Sequence, residues 1–285
     1  MVLIAFLGII IFKMQGFPSR FSPLLRPFAM FHPEFQQDGR TGICWVSSNA
    51  KPDAFAAECV DKTPATKPLV AVWGDSHAAR FFPGMVPAAA NSVRLAQWTR
   101  DACPPILDYS DEHCIAGNLH ILEQIEILKP DVVIVFAAWN RYQGQLPGSF
   151  PIVEFQQTVE KLVALRIPKL VVMGPVTQWK NDLPGTLVRR ALNNHQDSIP
   201  SRTFHGFDTS VEQADEQMQA AFGKLTGVSY FSAFKAMCDT EGCITTLNGR
   251  ADGLTSWDYG HLTTPAAQYL AGKLAESGLL RSDSK

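Results

Sequence analysis

The sequence has no excess of charge and no basic tract. Its 285 residues include 25 Lys and Arg against 27 Asp and Glu, for a formal net charge of −2. Proteins that bind nucleic acid concentrate Lys and Arg on one surface to neutralise phosphates, and the sequence shows no such cluster of basic residues. The composition therefore argues against a nucleic-acid partner. A hydrophobic content of 46% is sufficient for a sizeable core in one or two domains.

Long hydrophobic runs are also scarce, and the one of note opens the sequence. It is the twelve-residue segment MVLIAFLGIIIF, which is followed by Lys13. A membrane-spanning helix needs about 20 apolar residues, so this segment alone is too short. The basic start and small-residue cleavage site of a signal peptide are not evident. We expect residues 1–13 to be the end of a transmembrane helix, with a buried amphipathic or core helix as the alternative.

The cysteines lack the CxxC spacing that is usual in zinc sites. There are six, and they fall into three sequence-local pairs: Cys44 with Cys59, Cys103 with Cys114, and Cys238 with Cys243. Three disulfides are the simplest interpretation, although six cysteines allow 15 connectivities, and disulfides imply an oxidising compartment. The alternative is a zinc site, for which the candidate ligands are Cys103, His113, Cys114 and His120. We favour the disulfides and expect no metal.

The chain changes character near residue 68. Residues 14–67, which we call the extension, are rich in proline, show weak apolar periodicity and contain Cys44 and Cys59. This pattern predicts a disulfide-stapled extension or linker. From residue 68 to 285 apolar runs alternate with segments of helical spacing, as in a parallel sheet covered on both faces.

The apolar runs predict a three-layer α/β sandwich with a mostly parallel sheet of about five strands, because continuous apolar runs are typical of buried parallel strands. The predicted strands are 69–73, 93–98, 132–138, 169–173 and a weaker one near 228–231. The predicted helices are 77–90, 117–129, 152–166, 211–225 and 264–279.

The first candidate for chemistry lies in the stretch LVAVWGDSHAARFF, residues 69–82. Gly74 permits a sharp turn from strand to helix, and Ser76 follows at the carboxyl edge of the sheet, where ligands bind in open α/β folds. A serine at the first turn of a helix has backbone N–H groups and the positive end of the helix dipole beside it. A nucleophilic serine needs these features; a simple helix N-cap is the alternative.

The second candidate is the segment from Trp257 to Thr263, just before the last predicted helix. Asp258 and His261 are three residues apart, so on a turn they can face the same side. Asp258 could then orient the His261 ring, while His261 takes the proton of Ser76 as general base. Trp139, Trp179 and Trp257 could stack on sugar rings if they surround the pocket, or could be core residues.

GDSH early in the sheet, with DxxH followed by Leu-Thr near its end, resembles the SGNH (GDSL-type) hydrolase family over residues 68–285. The resemblance implies an acyl-transferring serine esterase without a cofactor, with Ser76 as nucleophile and Asp258 and His261 completing the triad. An apolar helix leading into Gly16-Phe17-Pro18, the Cys103-Pro104-Pro105 sequence, and two cysteines before DxxH resemble more closely the SGNH domain fused to the acyltransferase-3 membrane family. That family O-acetylates bacterial surface sugars.

The sequence departs from the family pattern at two oxyanion-hole positions. The family's second block offers a glycine N–H, whereas residues 99–104 contain no glycine. The third block reads GxND, whereas this chain has Ala137-Ala138-Trp139-Asn140, so the asparagine is displaced by one place or Trp139 occupies its position. Ser76 and Asn140 remain the oxyanion-hole candidates.

The resemblance predicts a serine-dependent O-acyltransferase that moves an acetyl-type group onto a bacterial surface glycan such as lipopolysaccharide O-antigen. It also implies that a membrane acyltransferase domain or partner delivers the acyl donor. We expect membrane association through residues 1–13, with the main domain in the periplasm. A carbohydrate esterase of the same fold and a non-catalytic glycan-binding module are the alternatives.

Overall fold

The protein is described here by a computed structural model that covers residues 2–14, 16–32, 39–64, 66–89, 92–109, 111–145 and 148–280. Some residues of the predicted segments lie outside these described residues. They include position 90 of the predicted helix 77–90, Met1 of the apolar segment 1–13, and residues 281–285 of the predicted domain 68–285. The strands are β1 (Trp45–Val46), β2 (Leu69–Gly74), β3 (Arg94–Arg100), β4 (Val132–Phe136), β5 (Lys169–Met173), β6 (Arg202–Thr203), β7 (Val228–Phe231), β8 (Cys238–Asp239) and β9 (Gly242–Ile244). The helices are α1 (Val2–Lys13), α2 (Arg26–Ala29), α3 (Ser76–Ala89), α4 (Glu112–Leu128), α5 (Ile152–Ala164), α6 (Leu183–Asn193), α7 (Ser210–Phe222), α8 (Ala233–Met237) and α9 (Thr264–Glu276).

The main sheet is six-stranded and parallel, in the order β1-β3-β2-β4-β5-β7. Alternate side chains of its buried strands point to opposite faces. One face packs on α3, α8 and α9, and the other packs on α4, α5 and α7. The predicted α/β sandwich is therefore confirmed. A small antiparallel sheet, β6-β9-β8, lies apart from the main one.

The sequence patterns missed several elements of the fold, among them β1 and α6. Strand β1 comes from the extension and adds a sixth strand by pairing with β3, but two residues are too few to show a period. Helix α6 begins with Leu183-Pro184-Gly185, which resembles a turn. In the structure Asp182 caps this helix by accepting a hydrogen bond from the Gly185 N–H at 2.6 Å, and Pro184 occupies the first turn, where proline is tolerated.

Some predicted boundaries were also wrong, for local reasons. Helix α4 begins at Glu112, five residues before the predicted position 117, because the Asp111 side chain accepts from the backbone N–H groups of His113 and Cys114. Strand β4 ends at Phe136 instead of residue 138, since the Ala138 N–H turns away to a buried carboxylate described below.

The six cysteines form the three disulfides that sequence locality predicts: Cys44–Cys59, Cys103–Cys114 and Cys238–Cys243. The zinc alternative thereby loses Cys103 and Cys114, two of its four candidate ligands. Helix α1 has twelve residues. None of the helices in the described part of the chain is long and apolar enough to cross a membrane.

Arg100 attaches the extension to the sheet. Its side chain is almost completely buried, with 1% exposure, at the end of β3. The guanidinium donates to the carbonyl oxygens of Ala50 at 2.8 Å and Lys51 at 3.0 Å, and also to those of Ser47 and Ser48 at 3.3 Å. Residues 99–104 contain no glycine, and within this segment Arg100 holds the loop over residues 47–51 in place.

We expect Arg100→Met to lower the free energy of unfolding by about 3 kcal/mol, because four carbonyl groups of the loop over residues 47–51 would lose a charged donor. Urea denaturation followed by circular dichroism measures this loss. Arg250→Met is the matched control, since the Arg250 side chain is 76% exposed and pairs only with its neighbour Asp252 among the described ion pairs. A loss below about 1 kcal/mol in Arg100→Met would mean that the loop is held by other contacts.

Candidate active site

The turn that carries Ser76 requires a glycine before it. Gly74 ends β2, and a Cβ atom there would overlap the carbonyl oxygen of Phe136 on β4 and crowd the Ala78 side chain. Ser76 is the first residue of α3, so its backbone N–H has no acceptor within the helix. Among the hydrogen bonds of the described residues, none uses that N–H. The serine therefore lies at the carboxyl end of a central strand with a donor of its own beside it.

Asp75 holds this turn in place. Its carboxylate is 1% exposed and accepts hydrogen bonds from the His77 N–H at 2.8 Å, the Ala138 N–H at 2.9 Å and the Tyr142 hydroxyl at 2.6 Å. Burial raises the pKa of Asp75, and the hydrogen bonds from Tyr142, Ala138 and His77 oppose that rise. The β2–α3 turn is thereby tied to the segment that follows β4.

Ser76, His261 and Asp258 form one line of hydrogen bonds. The distance between His261 Nε2 and Ser76 Oγ is 2.8 Å, and that between His261 Nδ1 and Asp258 Oδ2 is 2.6 Å. This is the arrangement of a serine nucleophile, its base and an orienting carboxylate. The structure therefore brings together the three residues that the motifs single out.

The Asp258 carboxylate is held by its own turn. Its Oδ1 atom accepts from the backbone N–H groups of Gly260 at 2.9 Å and His261 at 2.8 Å, so Oδ2 is left to face the imidazole. Burial favours the neutral acid, but the hydrogen bond and charge of His261, together with the two backbone N–H groups, lower the pKa of Asp258 below its usual value. The group is therefore ionised at neutral pH.

The close packing of α3 on α9 brings the two motifs together. Ser76 begins α3, and His261 precedes α9 by three residues. Gly84 allows the contact, since a Cβ atom there would overlap the backbone of Ala267 on α9. Residues 185 positions apart are thus within hydrogen-bond distance.

His77 is a neighbour of the triad, although its position at the start of a predicted helix favours a cap or loop role over a place in the site. Its side chain is 1% exposed, its ring centroid lies 4.5 Å from that of His261, and its Nε2 atom is 3.1 Å from the Tyr259 hydroxyl. Burial is the largest cause that lowers the pKa of His77 well below the usual value, and the nearby His261 lowers it further. His77 is therefore neutral, so it packs against His261 without placing a second positive charge there.

Asn140 is hydrogen-bonded to residues outside the triad. Its Nδ2 group donates to Gln178 Oε1 and Ser210 Oγ, both at 3.0 Å, and its Oδ1 atom accepts from Gln178 Nε2 at 2.7 Å. Among the described hydrogen bonds, none joins Asn140 to Ser76, Asp258 or His261. The neighbouring Trp139 is a core residue that packs on Phe155.

Of the three tryptophans considered, only Trp257 lies against the triad. Its indole is nearly parallel to the His261 ring, with an interplanar angle of 11° and centroids 5.5 Å apart. The Arg80 guanidinium carbon lies 4.6 Å from the centroid of the same indole. Trp139 and Trp179 are buried in the core. Trp257 therefore forms a wall of the site.

Comparison with known proteins points to one family. Residues 43–276 match the family model described as the SGNH domain fused to AT3 domains. No curated protein matches the sequence.

Several solved structures resemble this fold. The periplasmic domain of a lipopolysaccharide acetyltransferase from Salmonella ser. Paratyphi A superposes with a TM-score of 0.72 at 21% identity, over 91% of this chain and 98% of that one. Est24, a carbohydrate acetylesterase from Sinorhizobium meliloti, gives a TM-score of 0.49 at 16% identity, over 74% and 98%. The C-terminal catalytic domain of peptidoglycan O-acetyltransferase A from Streptococcus pneumoniae gives 0.39 at 11% identity, over 75% and 93%.

Proposed function

The chain belongs to the family of SGNH domains fused to AT3 domains, and on this premise we propose that it transfers an acetyl-type group through Ser76 to a bacterial surface glycan. The family match confirms the resemblance stated from the GDSH and DxxH motifs. The chain is an SGNH-type enzyme that acts on ester bonds. The observation that best supports the proposal is the unbroken hydrogen-bond line from Asp258 through His261 to Ser76.

The proposed reaction has two steps. In the first, Ser76 Oγ attacks the acyl carbonyl while His261 Nε2 removes the serine proton, and His261 then donates that proton to the leaving group. In the second, His261 removes the proton of a sugar hydroxyl, which attacks the acyl-serine ester, and Ser76 recovers a proton as it leaves. Asp258 keeps the His261 Nδ1 proton in place throughout and so fixes the useful tautomer.

The oxyanion of each tetrahedral intermediate needs hydrogen-bond donors. We propose the Ser76 N–H as the first, because it lies at the N-terminus of α3. Asn140 Nδ2 is the proposed second donor. It would have to leave Gln178 Oε1, which would stay paired because it also accepts from Arg141 Nε at 2.7 Å.

We expect Asn140→Ala to slow acylation of Ser76 by about 10²-fold, since this is the usual cost of losing one oxyanion donor. The burst of p-nitrophenol from p-nitrophenyl acetate measures the acylation rate. Ser210→Ala is the control, because it removes a partner of Asn140 but leaves the amide in place. An acylation rate in Asn140→Ala within about threefold of wild type would eliminate Asn140 from the oxyanion hole.

The partners and location follow from the same proposal. An AT3-type membrane domain or partner would deliver the acyl group, and the apolar residues 1–13 would attach the chain to the membrane. Three disulfides favour an oxidising compartment such as the periplasm. At 21% identity the Salmonella likeness concerns the fold, so lipopolysaccharide O-antigen is simply the first acceptor to test.

The experiment uses the full chain in detergent. It is treated with p-nitrophenyl acetate, analysed by intact-mass spectrometry, and then mixed with de-O-acetylated lipopolysaccharide. A transferase gives an acetyl adduct on the protein that moves to the glycan. Release of free acetate at the same rate with and without glycan would indicate an esterase. Glycan binding without any adduct on folded protein would instead indicate a binding module.

A further inference from the structure

A pocket of about 600 Å³ lies between the extension and α6. Its walls include Arg20, Phe21 and Phe31 from the extension, Arg189 and Leu192 from α6, and Trp257. We call this cavity the extension pocket. Its volume lies within the range of about 300–1,000 Å³ that is usual for small-molecule sites.

The extension pocket has a firmly packed base. Helix α2 of the extension lies on α6, and Phe28 of α2, which is 4% exposed, belongs to the same buried cluster as Leu183 and Leu187 of α6. The extension side of the pocket is therefore held by core packing.

The extension pocket shares a residue with the candidate active site. Trp257 lines the pocket and its indole lies along the ring of His261, whose Nε2 atom is 2.8 Å from Ser76 Oγ. Trp257 therefore borders the pocket and also contacts the proposed base.

The chemistry of the walls suits a carbohydrate. Phe21, Phe31 and Trp257 line the pocket and contribute aromatic surface, against which the C–H groups of pyranose rings can pack. The guanidinium groups of Arg20 and Arg189 and the carboxylate of Asp182 offer donors and acceptors to sugar hydroxyls at the rim. An acetyl group has only two carbons, so it would fill little of this volume, whereas an oligosaccharide needs a pocket of this size and mixed polarity.

We propose that the extension pocket binds the acceptor oligosaccharide and presents one of its hydroxyl groups to the acyl-serine at Ser76. This inference rests on the proposed acyltransferase function. It assigns the extension a part in acceptor selection.

The test uses substitutions on α6 that reduce the free volume of the extension pocket or remove a polar group from its wall. Leu192→Trp places a larger side chain on the wall, where Leu192 is 46% exposed, and Leu119→Trp on α4, where Leu119 is 52% exposed, is the matched control. Arg189→Ala removes a polar group from the same wall. The probe is de-O-acetylated Salmonella Paratyphi A lipopolysaccharide oligosaccharide, and the full chain is used after each variant has shown a wild-type urea midpoint.

Two readouts separate this inference from the proposed function. Acetyl transfer from Ser76 to the probe should fall about tenfold or more in Leu192→Trp and Arg189→Ala, with acylation by p-nitrophenyl acetate unchanged, and should remain normal in Leu119→Trp. Saturation-transfer NMR with Ser76→Ala should show probe binding that is lost on adding Leu192→Trp but kept on adding Leu119→Trp. Because Ser76→Ala forms no acyl-enzyme, this second readout does not depend on the chemistry.

The outcomes have distinct meanings. Probe binding that is sensitive to Leu192→Trp, in a wild-type protein that forms no acetyl adduct, would support the pocket and overturn the proposed function. No probe binding, or binding and transfer that Leu192→Trp leaves intact, would overturn the pocket. If Leu192→Trp slowed acylation by p-nitrophenyl octanoate and left transfer to the probe unchanged, the cavity would hold the acyl chain, which would also overturn the inference.

Discussion

Replacing Ser76 with alanine is expected to abolish the acetyl adduct and to lower ester turnover by about 10⁴-fold or more. The reason is that Ser76 Oγ is the proposed nucleophile and is hydrogen-bonded to the base, His261, at 2.8 Å. Among the described hydrogen bonds this is the only one that Ser76 Oγ makes, so its removal should leave the fold intact. Intact-mass spectrometry after p-nitrophenyl acetate and labelling by a fluorophosphonate both measure the loss.

Ser277→Ala is the matched control for Ser76→Ala. Ser277 Oγ donates to the Leu274 carbonyl at the end of α9, away from the triad, so this variant should label as wild type does. His261→Ala should form the adduct about 10²–10⁴-fold more slowly, because the serine would lose its base. Undiminished labelling of Ser76→Ala would mean that another side chain carries the acyl group, and the assignment would fail.

Asp258→Asn is expected to lower ester turnover by about 10⁴-fold, because the substitution would favour the wrong tautomer of His261. In the native protein the backbone N–H groups of Gly260 and His261 both donate to Asp258 Oδ1. In the variant these groups would hold the amide oxygen, so the amide NH₂ would face His261 Nδ1. The ring would then carry its proton on Nε2 and could not accept the proton of Ser76.

The control for Asp258→Asn is Ser256→Ala. Ser256 Oγ donates to the Asp258 backbone carbonyl at 3.0 Å and lies 3.4 Å from Oδ1, outside the contact with the ring, so a loss of less than about tenfold is expected. Steady-state ester hydrolysis at several pH values measures both variants. If Asp258→Asn retained more than about a tenth of wild-type turnover, Asp258 would not be setting the tautomer.

The lowered pKa of Asp258 sets the pH range in which this carboxylate contributes to the free energy of unfolding. Because the folded-state pKa lies below the unfolded one, the contribution is complete above the unfolded value of about 3.9 and disappears as the pH falls through the lowered value. Asp258 therefore stays charged across neutral pH, and the comparison with the neutral Asn is valid at every neutral assay pH.

The sequence by itself determined the parts of this protein that rest on local chemistry. Strands β2, β4 and β5 were predicted because buried parallel strands are continuous apolar runs, and the three cysteine pairs because they are close along the chain. The GDSH and DxxH motifs were recognisable because Ser76 follows a glycine-dependent turn and because Asp258, three residues before His261, can orient its ring from the same turn.

The tertiary structure alone decided how these parts meet. The hydrogen bond between Ser76 and His261 depends on the fit of Gly84 against Ala267, the buried place of His77 beside the triad depends on residues far along the chain, and Asn140 is held by Gln178 and Ser210. The extension pocket likewise exists only because α2 packs on α6. Periodicity and turn residues report interactions over a few positions, whereas contacts between distant segments depend on side-chain shapes that become complementary only when the layers are packed.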